Sequence, residues 1–142
     1  ILDDPISRTP WLMYVFHRVQ GVLDGKKVII MLDEGWKLLD DPAFSARIKD
    51  WMKTIRKQNG IIGFATQSVR DALRSSVGDA IIEQSPTQIF LPNPRADEND
   101  YCKGFGVSKH ELKIIRKLRP ESRSFLLRHG TDSVIARLDL TG

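Results

Sequence analysis

The sequence predicts an α/β protein with a mostly parallel sheet, helices on both faces of that sheet, and a C-terminal antiparallel hairpin. Three observations carry this. Val28-Ile29-Ile30-Met31-Leu32 is an unbroken apolar run that stops at two adjacent carboxylates, Asp33 and Glu34. A second apolar run, Ile61-Ile62-Gly63-Phe64-Ala65-Thr66, stops at Gln67. Stretches of helical period alternate with these runs, and such alternation builds parallel sheets. A run of this length is enough for a strand buried on both faces. Polar residues that follow such a strand sit at its carboxyl end, where open α/β sheets place their ligands.

The elements follow in order. Thr9-Pro10 has the form of an N-cap followed by proline at the first helical position. The helix it opens carries Leu12, Val15, Phe16, Val19, Val22 and Leu23 on one stripe and ends near Gly25. Trp11, Met13 and Tyr14 widen its apolar surface, so cover on more than one side is expected. After the strand over 28–32, Asp41-Pro42 opens a second helix by the same signal. Its face is Phe44, Ile48, Trp51, Met52 and Ile55, and Asn59-Gly60 stops it. The strand over 61–66 leads to Ser68 and Asp71, a capping box for a short helix. A helix over 78–84 and a short strand over 87–91 come next. Pro92-Asn93-Pro94 forces the chain out of regular structure. One or two helical turns follow over 97–103, and Ser108 with Glu111 caps a helix with Leu112, Ile114, Ile115 and Leu118 on its apolar side. Strands over 124–129 and 133–140 flank the turn Gly130-Thr131, which gives the hairpin.

The chemistry concentrates at the two strand ends. A hydrophobic strand ending in Asp-Glu has the form of a Walker B element, in which the Asp holds magnesium, usually through water, and the Glu polarises an attacking water for phosphoryl transfer. A buried strand running into an acidic turn produces the same string. Gln67 strengthens the first reading, because parallel strands would put it on the same edge as Asp33 and Glu34, where a polar amide can orient water or sense a γ-phosphate. Alone, Gln67 also fits a helix-start residue with a local hydrogen bond. A phosphate-binding loop needs Gly-x-x-x-x-Gly-Lys-Ser/Thr. The one Gly-Lys, Gly25-Lys26, is followed by Lys27 and preceded at the required distance by Gln20. The chain is therefore expected to be part of a nucleotide-hydrolysing domain without its phosphate cradle. Other chemistries lack their patterns. His110-Glu111 begins a zinc-protease string that position 114, Ile, ends; the three histidines have no ligand spacing; no Gly-x-Ser-x-Gly elbow occurs.

Composition sets the bounds. The 142 residues fit one domain, with 41% hydrophobic and 28% charged residues, ordinary globular values. The longest apolar run, Trp11 to Phe16, is too short to span a bilayer. Asp3 and Asp4 without a leading cationic segment argue against a secretory signal. Cys102, the single cysteine, suits a reducing compartment and a structural role. Net charge is +4, but the stretch 103–137 carries nine Lys/Arg against three acids. That surface could face nucleic acid, nucleotide phosphates or an acidic partner, or simply be solvated.

Six segments together resemble a known family. These are Asp3-Asp4-Pro5, Ile30-Met31-Leu32-Asp33-Glu34-Gly35-Trp36-Lys37, Arg56-Lys57-Gln58-Asn59, Phe64-Ala65-Thr66-Gln67-Ser68, Ala72-Leu73-Arg74-Ser75 and Leu91-Pro92-Asn93-Pro94. In this order, over most of the chain, they are similar to the C-terminal motor domain of the type IV secretion and conjugation ATPases, the CagE/TrbE group or fourth VirB component. The resemblance implies a RecA-like P-loop NTPase sheet related to the HerA/FtsK motors, with residues 1–142 as its C-terminal part and the P-loop strand missing. It implies ATP and magnesium as cofactors of the full-length parent, a hexamer of like subunits, and inner-membrane secretion components as partners. It also implies a location at the cytoplasmic face of the bacterial inner membrane. In that alignment Asp33 and Glu34 match the Walker B pair and Gln67 the polar residue of the neighbouring strand. Arg56 matches the basic motif after the intervening helix, and Arg128 is a candidate for contacting a nucleotide, including across a subunit boundary. Surface salt-bridging is the ordinary role for both arginines. Two rivals stand beside this reading: a nucleic-acid-translocating motor of the same superfamily, and a non-catalytic docking module with an ATPase fold. In related ATPases the P-loop strand lies beside the sensor strand, so the strand over 61–66 is expected to keep an unpaired edge.

Overall fold

The computed structural model describes residues 4–34, 39 and 41–140. Asp3 and the Gly35-Trp36-Lys37 part of the strand-end motif lie outside them. The chain divides into two units, Ile1–Ile81 and Ile82–Gly142.

In the first unit, helix α1 spans Pro5–Val22. It starts five residues earlier than the sequence suggests. Asp4-Pro5 repeats the cap-then-proline signal, and the Asp4 carboxylate accepts from the amides of Ile6 and Ser7 at 3.2 Å each. Pro10 therefore sits inside the helix, where its missing N–H leaves one intrahelical bond unmade. Thr9 does not cap its own helix; its hydroxyl donates to Asp41 Oδ2 at 2.6 Å. Asp41 in turn caps helix α2 (Pro42–Thr54) by accepting from Ala43 and Phe44. The Thr9 hydroxyl, with the Phe44 amide, holds the Asp41 carboxyl below its ordinary value.

The α2 stripe behaves as its period requires: Phe44, Ile48, Trp51 and Ile55 are all buried. Phe16 of α1 lies between two of them, 5.1 Å from the Phe44 ring and 4.8 Å edge-on from Trp51. Among the described residues only one side of α1 is covered, however. Leu12 and Phe16 are buried, while Trp11, Met13 and Tyr14 are exposed, contrary to the expectation of wider cover. A 3-10 turn, Ile55–Gln58, extends α2, and Asn59 ends it in the left-handed conformation at φ +58°.

Strands β1 (Val28–Asp33) and β2 (Gly60–Ala65) pair in parallel, from Val28 opposite Gly60 to Asp33 opposite Ala65. The apolar run in β1 is not buried on both faces. Val28, Ile30 and Leu32 are half-buried, but Ile29 is 70% and Met31 62% exposed. Helices on both faces are thus not observed here: among the described residues nothing covers this outer face. β2 pairs with β1 alone among the described strands. Helix α3 (Val69–Arg74) follows, capped by Ser68 through its hydroxyl and the Asp71 amide. Helix α4 (Gly78–Gln84) runs across the boundary between the units.

The second unit holds an antiparallel sheet, so among the described residues the strands do not form one mostly parallel sheet. β3 (Thr87–Phe90) pairs with β4 (Ser124–His129), and β4 pairs with β5 (Asp132–Arg137). A run as short as β3 carries no signal of direction. Its register brings Phe90 opposite Leu126, and both are buried. The β4–β5 hairpin turns at Gly130, whose φ of +59° suits glycine. Phe90 also packs against Tyr101 at 5.9 Å and edge-on against Phe105 at 6.0 Å, residues at or beside the π-helical turn Asn99–Gly104.

Helix α5 (Lys109–Lys117) turns Leu112 and Ile115 inward and has a complete capping box. The Ser108 amide donates to Glu111 Oε2 at 2.7 Å, and the Glu111 amide donates to Ser108 Oγ at 3.2 Å. Burial alone would raise the Glu111 pKa. The Ser108 amide and hydroxyl, the Ser133 hydroxyl and the nearby Arg128 charge outweigh it and hold the carboxyl below 4.5. A carboxylate depressed in the folded state stabilises above its unfolded pKa, and that contribution is lost as the pH falls through the folded value. Glu111→Gln is therefore expected to lower stability at pH 7 by about 1–2 kcal/mol. The difference should shrink as the pH falls below 4.5, the ordinary value for this carboxyl. Thermal melts of both proteins from pH 7 to pH 3 check this, and a gap that stays constant with pH argues against a charge-dependent cap.

Candidate active site at the carboxyl edge of the parallel strands

The parallel pairing brings the two polar strand ends to one edge. Beyond the last ladder pair, Asp33 with Ala65, the Glu34 amide donates to the Ala65 carbonyl at 3.0 Å. Glu34 itself is in the left-handed region at φ +51°, costly for a side chain with a Cβ, and such outliers gather at functional sites. This turn carries its carboxylate toward the β2 end, where Oε1 accepts from the main-chain N–H of Gln67 at 2.7 Å. Asp33, Glu34 and Gln67 are all exposed.

The turn after β2 is organised by Thr66. Its hydroxyl accepts from the Ser68 amide at 3.0 Å and donates to the Ser68 carbonyl at 3.2 Å. The sequence points to the Gln67 side chain; the contact that forms uses its main chain. The Thr-x-Ser string before a helix is the signal for such a hydroxyl-closed turn.

Arg56 does not join this edge. Arg56 is in the 3-10 turn that precedes β2, at the amino end of the strand. It is exposed there, one strand length away, roughly 17 Å for six residues. Arg128 belongs to β4 in the second unit. Its Nη1 donates to the carbonyls of Phe105 and Gly106 at 3.0 and 2.9 Å, and its Nε donates to the Gly130 carbonyl at 3.2 Å. Those bonds tie the segment before α5 to the hairpin turn, a structural task. Arg128 also lines a cleft of about 240 Å³ with Glu83, Gln88 and Phe105.

The donor set suits a magnesium nucleotide only in part. An exposed carboxylate at a strand end fits magnesium, which keeps most of its waters and takes one or two protein carboxylates. Among the described residues no three His, Cys, Asp or Glu side chains gather to hold an ion by themselves. The sequence also lacks a glycine-lysine phosphate cradle.

Known proteins share this arrangement of elements. The type IV secretion system protein virB4 of Bartonella quintana (strain Toulouse) is 48% identical over 99% of this chain, which covers 18% of that protein. The type IV secretion system protein virB4 of Brucella abortus biovar 1 (strain 9-941) is 46% identical, with 17% of its length covered. The chain thus spans less than a fifth of these curated relatives. The solved structure of VirB4 of Thermoanaerobacter pseudethanolicus superposes with a TM-score of 0.69 at 22% identity, over 83% of this chain and 33% of that one. It therefore has the same α/β fold. The family model of the TraG P-loop domain matches residues 9–122, and with well over half of its length accounted for the chain belongs to the TraG P-loop domain family.

Proposed function

We propose that this chain is the C-terminal part of a RecA-like ATPase domain, and that the larger protein hydrolyses ATP to power type IV secretion. The observation that carries this is the shared carboxyl edge, with Asp33, Glu34 and Gln67 together and the Glu34 carboxylate 2.7 Å from the Gln67 amide. The type IV secretion proteins among the relatives supply the process. Glu34 would hold the attacking water and take its proton; the Gln67 side chain would orient that water or the terminal phosphate; Asp33 would hold magnesium through water. When bound, magnesium neutralises charge on the phosphate oxygens. Arg56 matches the basic motif of the family and stands at the amino end of β2. Arg128 commits Nε and Nη1 to carbonyls and would meet a nucleotide through Nη2.

The partners that follow are further copies, as a hexamer, and inner-membrane secretion components, at the cytoplasmic face of the membrane. Among the described residues no helix is long and apolar enough to cross a bilayer. One observation favours a second partner class. Every exposed position of α5 is basic or histidine (Lys109, His110, Lys113, Arg116 and Lys117), while its one acid, Glu111, is buried. A nucleic-acid-translocating motor would use such a face, and its binding would weaken steeply with salt. Binding that is absent or independent of salt leaves the secretion reading alone.

The missing cradle sets an expectation for the chain itself. Main-chain amides and a lysine supply most of the phosphate affinity of P-loop enzymes. Titration calorimetry of this chain with magnesium-ATP should therefore show no binding or millimolar binding. Micromolar affinity would mean that phosphates are held by residues outside any such loop.

A further inference from the structure

We propose that Thr66 is a positioning residue for Glu34, acting through the main-chain N–H of Gln67; this rests on the reading that Glu34 activates water. Glu34 is exposed, so packing does little to fix its carboxylate. Hydrogen bonds do that work instead. Its amide is tied to the Ala65 carbonyl at 3.0 Å, and its Oε1 to the Gln67 amide at 2.7 Å. Gln67 lies in neither strand nor helix, between β2 and the Ser68 cap of α3. The direction of its N–H therefore depends on the turn around it.

Thr66 closes that turn. A hydroxyl can donate and accept at once, and the Thr66 hydroxyl does both toward Ser68, accepting from its amide at 3.0 Å and donating to its carbonyl at 3.2 Å. The residue between them, Gln67, is held from both sides, and the peptide that carries its N–H is aimed at Glu34. Thr66 touches neither water nor nucleotide in this scheme. It sets the place from which Glu34 acts, and misplacing a catalytic group by about 1 Å can cost about 10²-fold in rate.

The substitution pair Thr66→Val and Thr66→Ser separates a hydroxyl effect from a packing effect. Valine keeps the branched shape and loses both hydrogen bonds; serine keeps the hydroxyl. In this chain, amide hydrogen exchange at Gln67 should be about tenfold faster in Thr66→Val and restored in Thr66→Ser. Glu34→Ala should release the same amide. Exchange at Ile30 and Gly63 should be unchanged throughout, showing that the paired strands persist. In the full-length protein, Thr66→Val should lower kcat for ATP about tenfold with KM nearly unchanged, and Thr66→Ser should recover it. Unchanged Gln67 exchange in the valine variant overturns the proposal, as does turnover equal to or above the parent's. Loss of protection at Ile30 and Gly63 overturns it too, since the role would then be structural. Full turnover in Glu34→Gln is a separate failure, that of the reading of Glu34, and it can be told apart because Gln67 exchange would still respond to Thr66.

Discussion

Glu34→Gln in the full-length protein is expected to bind ATP with nearly the parent's affinity and to lose ~10²–10⁴-fold in turnover, the usual size of a general-base contribution. The geometry makes this substitution unusually clean. The contact at the β2 end uses one carboxylate oxygen, Oε1, as an acceptor from the Gln67 amide at 2.7 Å. A glutamine side chain has an oxygen to offer in the same place, so the tie between the two strand ends survives. What it lacks is a second negative oxygen able to take a proton from water. Binding and chemistry should therefore separate, with KM little changed and kcat collapsing. Steady-state hydrolysis beside equilibrium nucleotide binding checks this. Turnover within a few-fold of the parent would reduce Glu34 to a residue of the strand end.

Much of this edge can be read from the residues, because the signals are local. An apolar run that stops at Asp-Glu, and another that stops at Thr-Gln, mark two strand ends; one intervening helix makes the strands parallel. Ser108 with Glu111 and Asp41 with Pro42 fix two helix starts for the same reason, since a cap is decided within one turn. What stays hidden depends on partners distant in sequence. Thr9-Pro10 suggests the start of α1, yet the helix opens at Asp4-Pro5. The Thr9 hydroxyl meets Asp41, 32 residues away, instead of its own helix. The run Val28-Ile29-Ile30-Met31-Leu32 suggests double burial, but hydrophobicity states what a strand tolerates, not what covers it; Ile29 and Met31 are exposed. β3 could have joined either sheet, and only its register with β4 decides. At Gln67 the side chain drew attention because side chains differ between residues; the contact to Glu34 uses the one group that nearly every residue has. Arg128 shows the converse. A lone arginine in a late strand suggests a ligand; its Nε and Nη1 meet carbonyls at Phe105, Gly106 and Gly130, a role no local signal announces.

The site also depends on a core it does not touch, and Trp51→Ala is expected to destabilise the first unit by about 3–5 kcal/mol, the range for removing a buried large aromatic. Trp51 is 2% exposed and stands edge-on to Phe16 at 4.8 Å. Phe16 in turn contacts Phe44, so a single side chain closes the cluster between α1 and α2. Alanine there opens a cavity flanked by rigid rings, which cannot collapse into it as flexible aliphatic side chains might, and it forfeits an aromatic pair worth about 0.5–1.5 kcal/mol. The polar loss is minor. The indole N–H donates to Gln20 at 3.3 Å, and Gln20 is exposed, so water replaces that bond. Trp11 supplies the internal comparison: it is 40% exposed on the uncovered side of α1, and Trp11→Ala should cost no more than about 1 kcal/mol. Urea unfolding followed by circular dichroism measures both. The consequence reaches the edge because α2 runs through the Ile55–Gln58 turn straight into β2. If the α1–α2 core loosens, β2 loses its anchor and the Gln67 amide its fixed distance from Glu34. Hydrogen exchange at Gln67 in Trp51→Ala should therefore rise together with exchange across β2. Equal costs for the two tryptophans would show that the Phe16–Trp51 contact does not hold these helices together.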